Sequence, residues 1–329
     1  ALNPENPTPK YDDGFKVYKD LIARLKKAIE AIDTGARGLE IDNIYGGSME
    51  KWKKYGASIY LRMGMVLADV DPNFSKTAVE DAFNKGVFTS NEDNALLTYT
   101  TEPPNRNPIY GAITASGRDD YVIAENLVDK LNTLNDPRRD VFYTKLDDGT
   151  YKGGFSGKIN KYGSFSHVSD LVGKTPDRKG RLMDYSEVSF LLAEAKQLKE
   201  YNNIGSKSAE YHYDEGVKAS IKFWGKSDEE ATTYLAQPSV QYNPAKYKEL
   251  IGTQMWIATY NRGYATWLHY RRYDQPIMKD VKKGKTTDKQ PPRRLTYPVS
   301  EQTMNINSKD AGNKIGGDKM ETKLFWDKN

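Results

Sequence analysis

Apolar side chains recur every three or four positions through much of this chain, the period of a helix buried on one side. Between Asp12 and Asp33, Phe15, Tyr18, Leu21, Ile22, Leu25, Ile29 and Ile32 share one face. After Ser48, whose hydroxyl suits a helix N-cap, Trp52, Tyr55, Ile59, Met63, Val66, Leu67 and Val70 make a second such face. Asp71-Pro72 ends that run, because proline disfavours helical geometry in the residue before it. A shorter helix follows in "KTAVEDAFNKG", and another spans about 119–135, stopped by Asp136-Pro137. The clearest pair covers 184–201 and 208–224, joined by "NIGSK", with Ala193, Ala195, Gly216 and Ala219 small enough for two helices to approach closely. A last helical region reaches Pro276, bent near Gly263.

Strand-like alternation is sparse, so the expected fold is mainly α: a tetratricopeptide-like helical scaffold with a loop-rich lobe in one domain, 1–329. The scaffold occupies about 11–90, 119–135 and 184–276. Irregular stretches fill about 91–118, 143–183 and 277–329, and loops of such length in a folded domain are commonly functional. The middle one is rich in glycine and rings and reads as ordered surface, the place for exposed chemistry.

One stretch, "WIATYNRGYATWLHYRRYDQP", sets Trp256, Tyr260, Tyr264, Trp267 and Tyr270 within an arc of roughly 120° if it is one helix. Such a stripe packs against neighbouring helices more readily than it holds a ligand, since a helix that gives its whole apolar face to a ligand has nothing to hold it down. Trp52, Leu191, Leu192 and Trp224 are expected to be buried with the helical bundle.

Composition narrows the function. Mean hydropathy is -0.78, yet aromatic residues make up 12% of the chain, led by 23 tyrosines, which favours a folded protein over a disordered one. Forty-nine Lys and Arg against 45 Asp and Glu are interspersed, without the basic stripe of a nucleic-acid binder. The absence of cysteine removes disulfides and thiol chemistry, and three scattered histidines, His167, His212 and His269, match no zinc spacing. No cofactor is expected. A calcium that orders a loop is the one open question, although "KLDDG" at 145–149 reads as a turn.

Several stretches together resemble the SusD/RagB family, surface lipoproteins of Bacteroidetes that work with TonB-dependent outer-membrane transporters. They are, in order, "EKWKKYGASIYLRMGMVLADVDP", "FTSNEDNALLTY", "NDPRRDVFY", "DYSEVSFLLAEAK" with "EGVKASIKFWG", the aromatic stretch above, "PRRLTYPVSEQTMN" and "GGDKMETKLFWD". Each is weak alone, and their order from Met49 to Asp327 is specific. Members ordinarily carry a signal peptide, a lipid-bearing cysteine and further helices before the equivalent of Tyr11. Their absence implies a fragment lacking the N-terminal part or, as the less favoured reading, an unusually short member.

The resemblance implies a non-catalytic protein that captures a glycan or oligosaccharide and acts with a SusC-like transporter, held at the outer membrane through an N-terminal lipid anchor not present in this sequence. Sugar binding needs rigid rings for C–H faces and polar groups for hydroxyls. Tyr110 and Arg118 in the first irregular stretch and Tyr151, Phe155, Tyr162, Phe165 and His167 in the second are the candidates, although any one of them taken singly reads first as packing its own loop. Peptide or another nutrient is the alternative ligand. A glycoside hydrolase would need two carboxylates across a cleft, for which Glu102, Asp119, Asp120, Asp147, Asp148 and Asp170 are too numerous to discriminate. No nucleophile elbow, P-loop or dinucleotide motif is present. A pure interaction scaffold would present a smooth helical surface with far less irregular chain.

Overall fold

The computed structural model describes residues 5–281 and 284–328. It is mainly helical. Helices α1 (Gly14–Glu30) and α2 (Met49–Val66) follow their apolar periods, and the Ser48 side chain accepts from the Lys51 amide as an N-cap. Helix α3 (Pro72–Asn84) begins on the proline that was expected only to end a helix. Proline at a first helical position gives up an N–H that would lack a partner there, and Asp71 supplies the cap to Phe74.

Helix α4 (Glu125–Thr133) starts later than its sequence pattern suggests. The amides of Ile123 and Glu125 donate instead to the carbonyls of Ser166 and Gly154, at 2.9 and 2.8 Å, and tie the end of 119–124 to the middle loop outside the helix. Helices α5 (Tyr185–Leu198) and α6 (Ala209–Phe223) form the expected hairpin. Gly216 lies under Phe190 so closely that a Cβ would stand 2.8 Å from the ring, and Ser186 donates to the Gly216 carbonyl at 2.8 Å. Close approach, not helix propensity, therefore selects glycine here. Helix α7 (Asp228–Leu235) opens with a capping box between Ser227 and Glu230 and packs on α6. Leu191, Leu192 and Trp224 are buried. Trp52 is only half-buried, because its indole N–H turns to Asp42, 2.7 Å away in the connection from α1 to α2.

The last helical region is two helices, α8 (Tyr247–Ala258) and α9 (Gly263–Tyr273), and not one bent rod. Asn261 adopts φ +66° between them, and the Arg262 side chain enters the core to reach Glu187 and the Leu182 carbonyl. Breaking the helix is what lets that guanidinium point inward.

The irregular stretches also contain structure. Ala95–Leu97 and Gly180–Met183 pair as a short antiparallel ribbon that ties the first stretch to the second. Two helices, α10 (Val299–Met304) and α11 (Asn307–Lys314), stand in the third. No helix among the described residues is long and apolar enough to cross a membrane.

Candidate functional site

The first two irregular stretches close on one another through hydrogen bonds to backbone carbonyls. Asn107 donates from its amide to the Pro176 carbonyl and from its side chain to the Arg178 carbonyl, both at 2.7 Å. Thr114, in a wide helical turn at Gly111–Ala115, donates to the Gly173 carbonyl at 2.7 Å. The cleft that results encloses about 200 Å³ and is lined by Arg118, Tyr121, Tyr162, His167, Asp170 and Lys174 among others.

Tyr162 and His167 stack face to face, with centroids 3.7 Å apart and planes within 5°. The His167 Nε2 lies 2.9 Å from the Tyr162 carbonyl oxygen, which can only accept. Nε2 therefore carries a proton, and in the neutral ring Nδ1 is the acceptor. Arg118 makes a two-pronged contact with Asp120, its Nε 2.9 Å from Oδ1, and its guanidinium lies 4.7 Å over the Tyr121 ring. Hydrogen bonding from Arg118 holds the Asp120 carboxyl below its usual range. Lys174 pairs with Asp170 at 2.9 Å. The cleft thus offers a ring stack flanked by two exposed ion pairs, a mixture of donors and acceptors with no net charge among those four groups.

Of the residues expected to bind ligand, Arg118, Tyr162 and His167 share this cleft. The others do not line it. Tyr110 sits in the turn of helix before Gly111, with Arg106 5.2 Å over its ring. Tyr151 is half-buried, edge-on to the fully buried Tyr143 at 5.2 Å. Phe155 is exposed and meets Phe165 edge-on at 5.9 Å, whereas Phe165, expected to be an exposed ring, is buried at 7% accessibility. The backbone explains this: the Ser166 amide donates to Lys152 and the Ser166 carbonyl accepts from Ile123, which draws the neighbouring ring inward. Sequence reasoning missed Tyr121 and Lys174 at the cleft, because "RDDY" read as the start of a helix and Lys174 as ordinary loop charge.

A second concave surface lies where α8 meets α9. Trp256, Tyr260, Trp267 and Tyr270, with Leu127 and Met278, line an open cavity of about 320 Å³. The aromatic stripe is therefore neither continuous nor wholly packed: Trp256, Tyr260 and Trp267 are half-buried, and Tyr264 is 84% exposed. The break at Arg262 rotates the two halves apart and opens a gap between rings that one straight helix would have aligned.

Among the described residues no group of three or more His, Asp or Glu side chains is placed to hold a metal ion. "KLDDG" is a turn, with the Gly149 amide donating to Leu146 and the Thr150 hydroxyl to Asp148.

A SusD-like family model described as "Starch-binding associating with outer membrane" matches residues 1–298. No curated protein matches the chain. Among solved structures, a SusD homologue from Bacteroides uniformis superposes with a TM-score of 0.86 at 26% identity, covering 98% of this chain and 74% of its own. A chitin-binding SusD homologue from Flavobacterium johnsoniae gives 0.84 at 26% identity, covering 100% and 75%. A SusD homologue from Bacteroides thetaiotaomicron gives 0.83 at 27% identity, covering 98% and 76%.

Proposed function

The chain belongs to the SusD-like family of that model, and on this premise we propose that it is a non-catalytic glycan-binding protein of the outer-membrane surface. In this reading it is a lipid-anchored protein that captures a glycan or oligosaccharide and passes it to a TonB-dependent SusC-like transporter. The description of the matching family and the chitin-binding relative support the ligand class. The observation that carries the reading is the Tyr162–His167 stack set between the Arg118–Asp120 and Lys174–Asp170 pairs. Rings present C–H-binding surface, and charge-paired groups give hydrogen bonds to hydroxyls without demanding a charged ligand.

The same geometry argues against hydrolysis. A glycosidase needs one carboxyl kept protonated as an acid and a second as base or nucleophile. Asp120 and Asp170 each bind a cation, and Arg118 pulls the Asp120 carboxyl down, the wrong direction for an acid at neutral pH.

Calorimetry with soluble starch and chitin oligosaccharides, and with a peptide digest as comparator, tests the ligand class. Saccharide binding that weakens in the Tyr162→Ala/His167→Ala variant supports capture at this cleft. Binding of the digest alone would favour peptide uptake, and release of reducing sugar lost on one carboxylate substitution would establish an enzyme. Co-purification of a TonB-dependent transporter with the full-length protein from native membranes tests the partnership.

A further inference from the structure

Between Gly149 and Ser169 the chain carries three lysines, Lys152, Lys158 and Lys161, and no aspartate or glutamate, although acids nearly balance bases in the whole sequence. The fold gathers this span into one closed loop. At its base the Ser166 amide donates to the Lys152 carbonyl at 2.7 Å, and the Lys152 amide donates to the Ser166 hydroxyl at 3.0 Å. Nearer its tip the Phe155 amide donates to the Asn160 side chain at 2.9 Å, and that side chain donates back to the Phe155 and Lys158 carbonyls. The Lys158 ammonium lies 5.1 Å over the Phe155 ring and the Lys152 ammonium 5.5 Å over the Phe165 ring. Lys161 directly precedes Tyr162, and its carbonyl accepts from the Ser164 amide at 3.0 Å to close the turn that carries the Tyr162 side of the stack.

All three lysines are exposed, and none forms an ion pair among the described residues. Thr150 first, and Lys152 after it, hold the Asp148 carboxyl low, so Lys152 has an acid in its field. Lys158 and Lys161 have none within the loop. The cleft and its rim therefore differ. Inside, Arg118 is paired with Asp120 and Lys174 with Asp170, and a neutral sugar ring meets no excess charge there. On the rim, two ammonium groups stand without a counter-charge beside rings. Lysine is a point charge without the planar fork of arginine, and it takes a carboxylate or a sulfate with little demand on geometry. An anionic lipid surface would attract the same lysines, and Ile159 between them is 99% exposed. One apolar side chain is a weak anchor, however, because interfacial binding grows with the apolar area inserted, and the nearest rings are turned elsewhere: Phe165 is buried and Phe155 meets its edge.

Resting on the capture reading above, we propose that the glycan this site takes is acidic. One residue of the glycan settles in the Tyr162–His167 cleft, and carboxylate or sulfate groups on adjoining residues meet Lys158 and Lys161. Such contacts are solvent-exposed, so they set selectivity through charge and weaken as salt rises. The hydrogen bonds that close the loop hold the lysine-bearing backbone in place before the ligand arrives, which lowers the ordering cost of binding.

The test titrates the whole chain with soluble probes of equal length: a galacturonate tetramer, a sulfated galactan tetramer, maltotetraose and chitotetraose. Vesicles of phosphatidylglycerol form a separate arm. At low salt an acidic tetramer should bind about tenfold more tightly than either neutral one, and the gap should close as salt is raised from about 0.05 to about 0.5 M. Whichever acidic probe binds more tightly identifies the acid. The Lys158→Gln/Lys161→Gln variant should lose about three- to tenfold in affinity for that probe, the scale of two exposed ion pairs, and keep its affinity for the neutral tetramers. Lys16→Gln/Lys27→Gln, which makes the same change in net charge at exposed positions of α1, should lose little. Equal binding of acidic and neutral tetramers, or equal losses in the two lysine variants, overturns the proposal and leaves capture of a neutral glycan standing. Absence of binding to every saccharide overturns both. Binding to the vesicles, lost in Lys158→Gln/Lys161→Gln, with no preference for an acidic tetramer assigns the lysines to a lipid surface and also overturns the proposal.

Discussion

Arg262 and Glu187, 75 residues apart in sequence, form a buried ion pair with Nη2 2.6 Å from Oε2. Arg62 reaches the same carboxylate at 3.2 Å and His269 at 3.0 Å, so one side chain of α5 gathers α2, the α8–α9 junction and α9. Burial by itself would raise the Glu187 carboxyl, but Arg262, Arg62 and His269 hold it well below the usual carboxylate range. Glu187→Ala leaves the Arg262 and Arg62 guanidiniums without their shared partner, and the loss of stability should be about 3–5 kcal/mol. A urea midpoint within error of wild type would mean that the cluster is solvated in the folded protein.

The α5–α6 contact depends on the missing side chain at Gly216. Gly216→Val places carbon where the Phe190 ring already lies, and overpacking of this kind costs about 1–3 kcal/mol. Leu191→Ala, on the same hairpin and fully buried, should cost about 2–5 kcal/mol by leaving a cavity. Thermal denaturation of the two variants separates crowding from emptiness: Phe190→Leu should rescue the first and not the second.

His212 contributes to the acid sensitivity of the fold. Burial first, and then Lys196 and Lys207, push its imidazole from 6.5 down to about 4. The unfolded chain takes up a proton near 6.5 and the folded chain resists until about 4. Stability from this group is therefore complete above pH 6.5 and falls as pH drops toward 4, by up to about 3 kcal/mol. The melting temperature of His212→Phe should decline less than that of wild type between pH 7 and pH 4, and parallel curves would rule out this origin.

Phe165 and Tyr162, three residues apart, should respond oppositely to removal. Phe165→Ala opens the packed side of the loop and should lower stability by about 0.5–3 kcal/mol with little effect on saccharide selectivity among folded molecules. Tyr162→Ala should weaken binding and leave the melting temperature nearly unchanged. The reverse pattern would move the binding surface to the Phe155–Phe165 side of the loop.

Trp267→Ala removes a ring that is both hydrogen-bonded to Pro292 and covered by Arg271, and it should lower the melting temperature. An unchanged melting temperature would show that these contacts contribute nothing to folding.

The helical scaffold was legible in the sequence because its information is local. A period of three or four residues, a capping serine before Met49 and the small residues of the α5–α6 hairpin state which face is buried and where helices end, without reference to distant chain. The choices that locality cannot make were made by tertiary structure. Residues 256–273 have the period of one helix, and only the buried Glu187 explains why the chain breaks to send Arg262 inward. Phe155 and Phe165 look alike in sequence, and the pairing of Ser166 with Lys152 and Ile123 decides which is covered. Arg118 lines one cleft with Tyr162 and His167 for the same kind of reason: loops distant in sequence are closed by hydrogen bonds to backbone carbonyls, acceptors that have no signature in side-chain pattern. Periodicity records how a segment faces a core, whereas a binding surface is set by which segments meet, and that is a property of the closed fold.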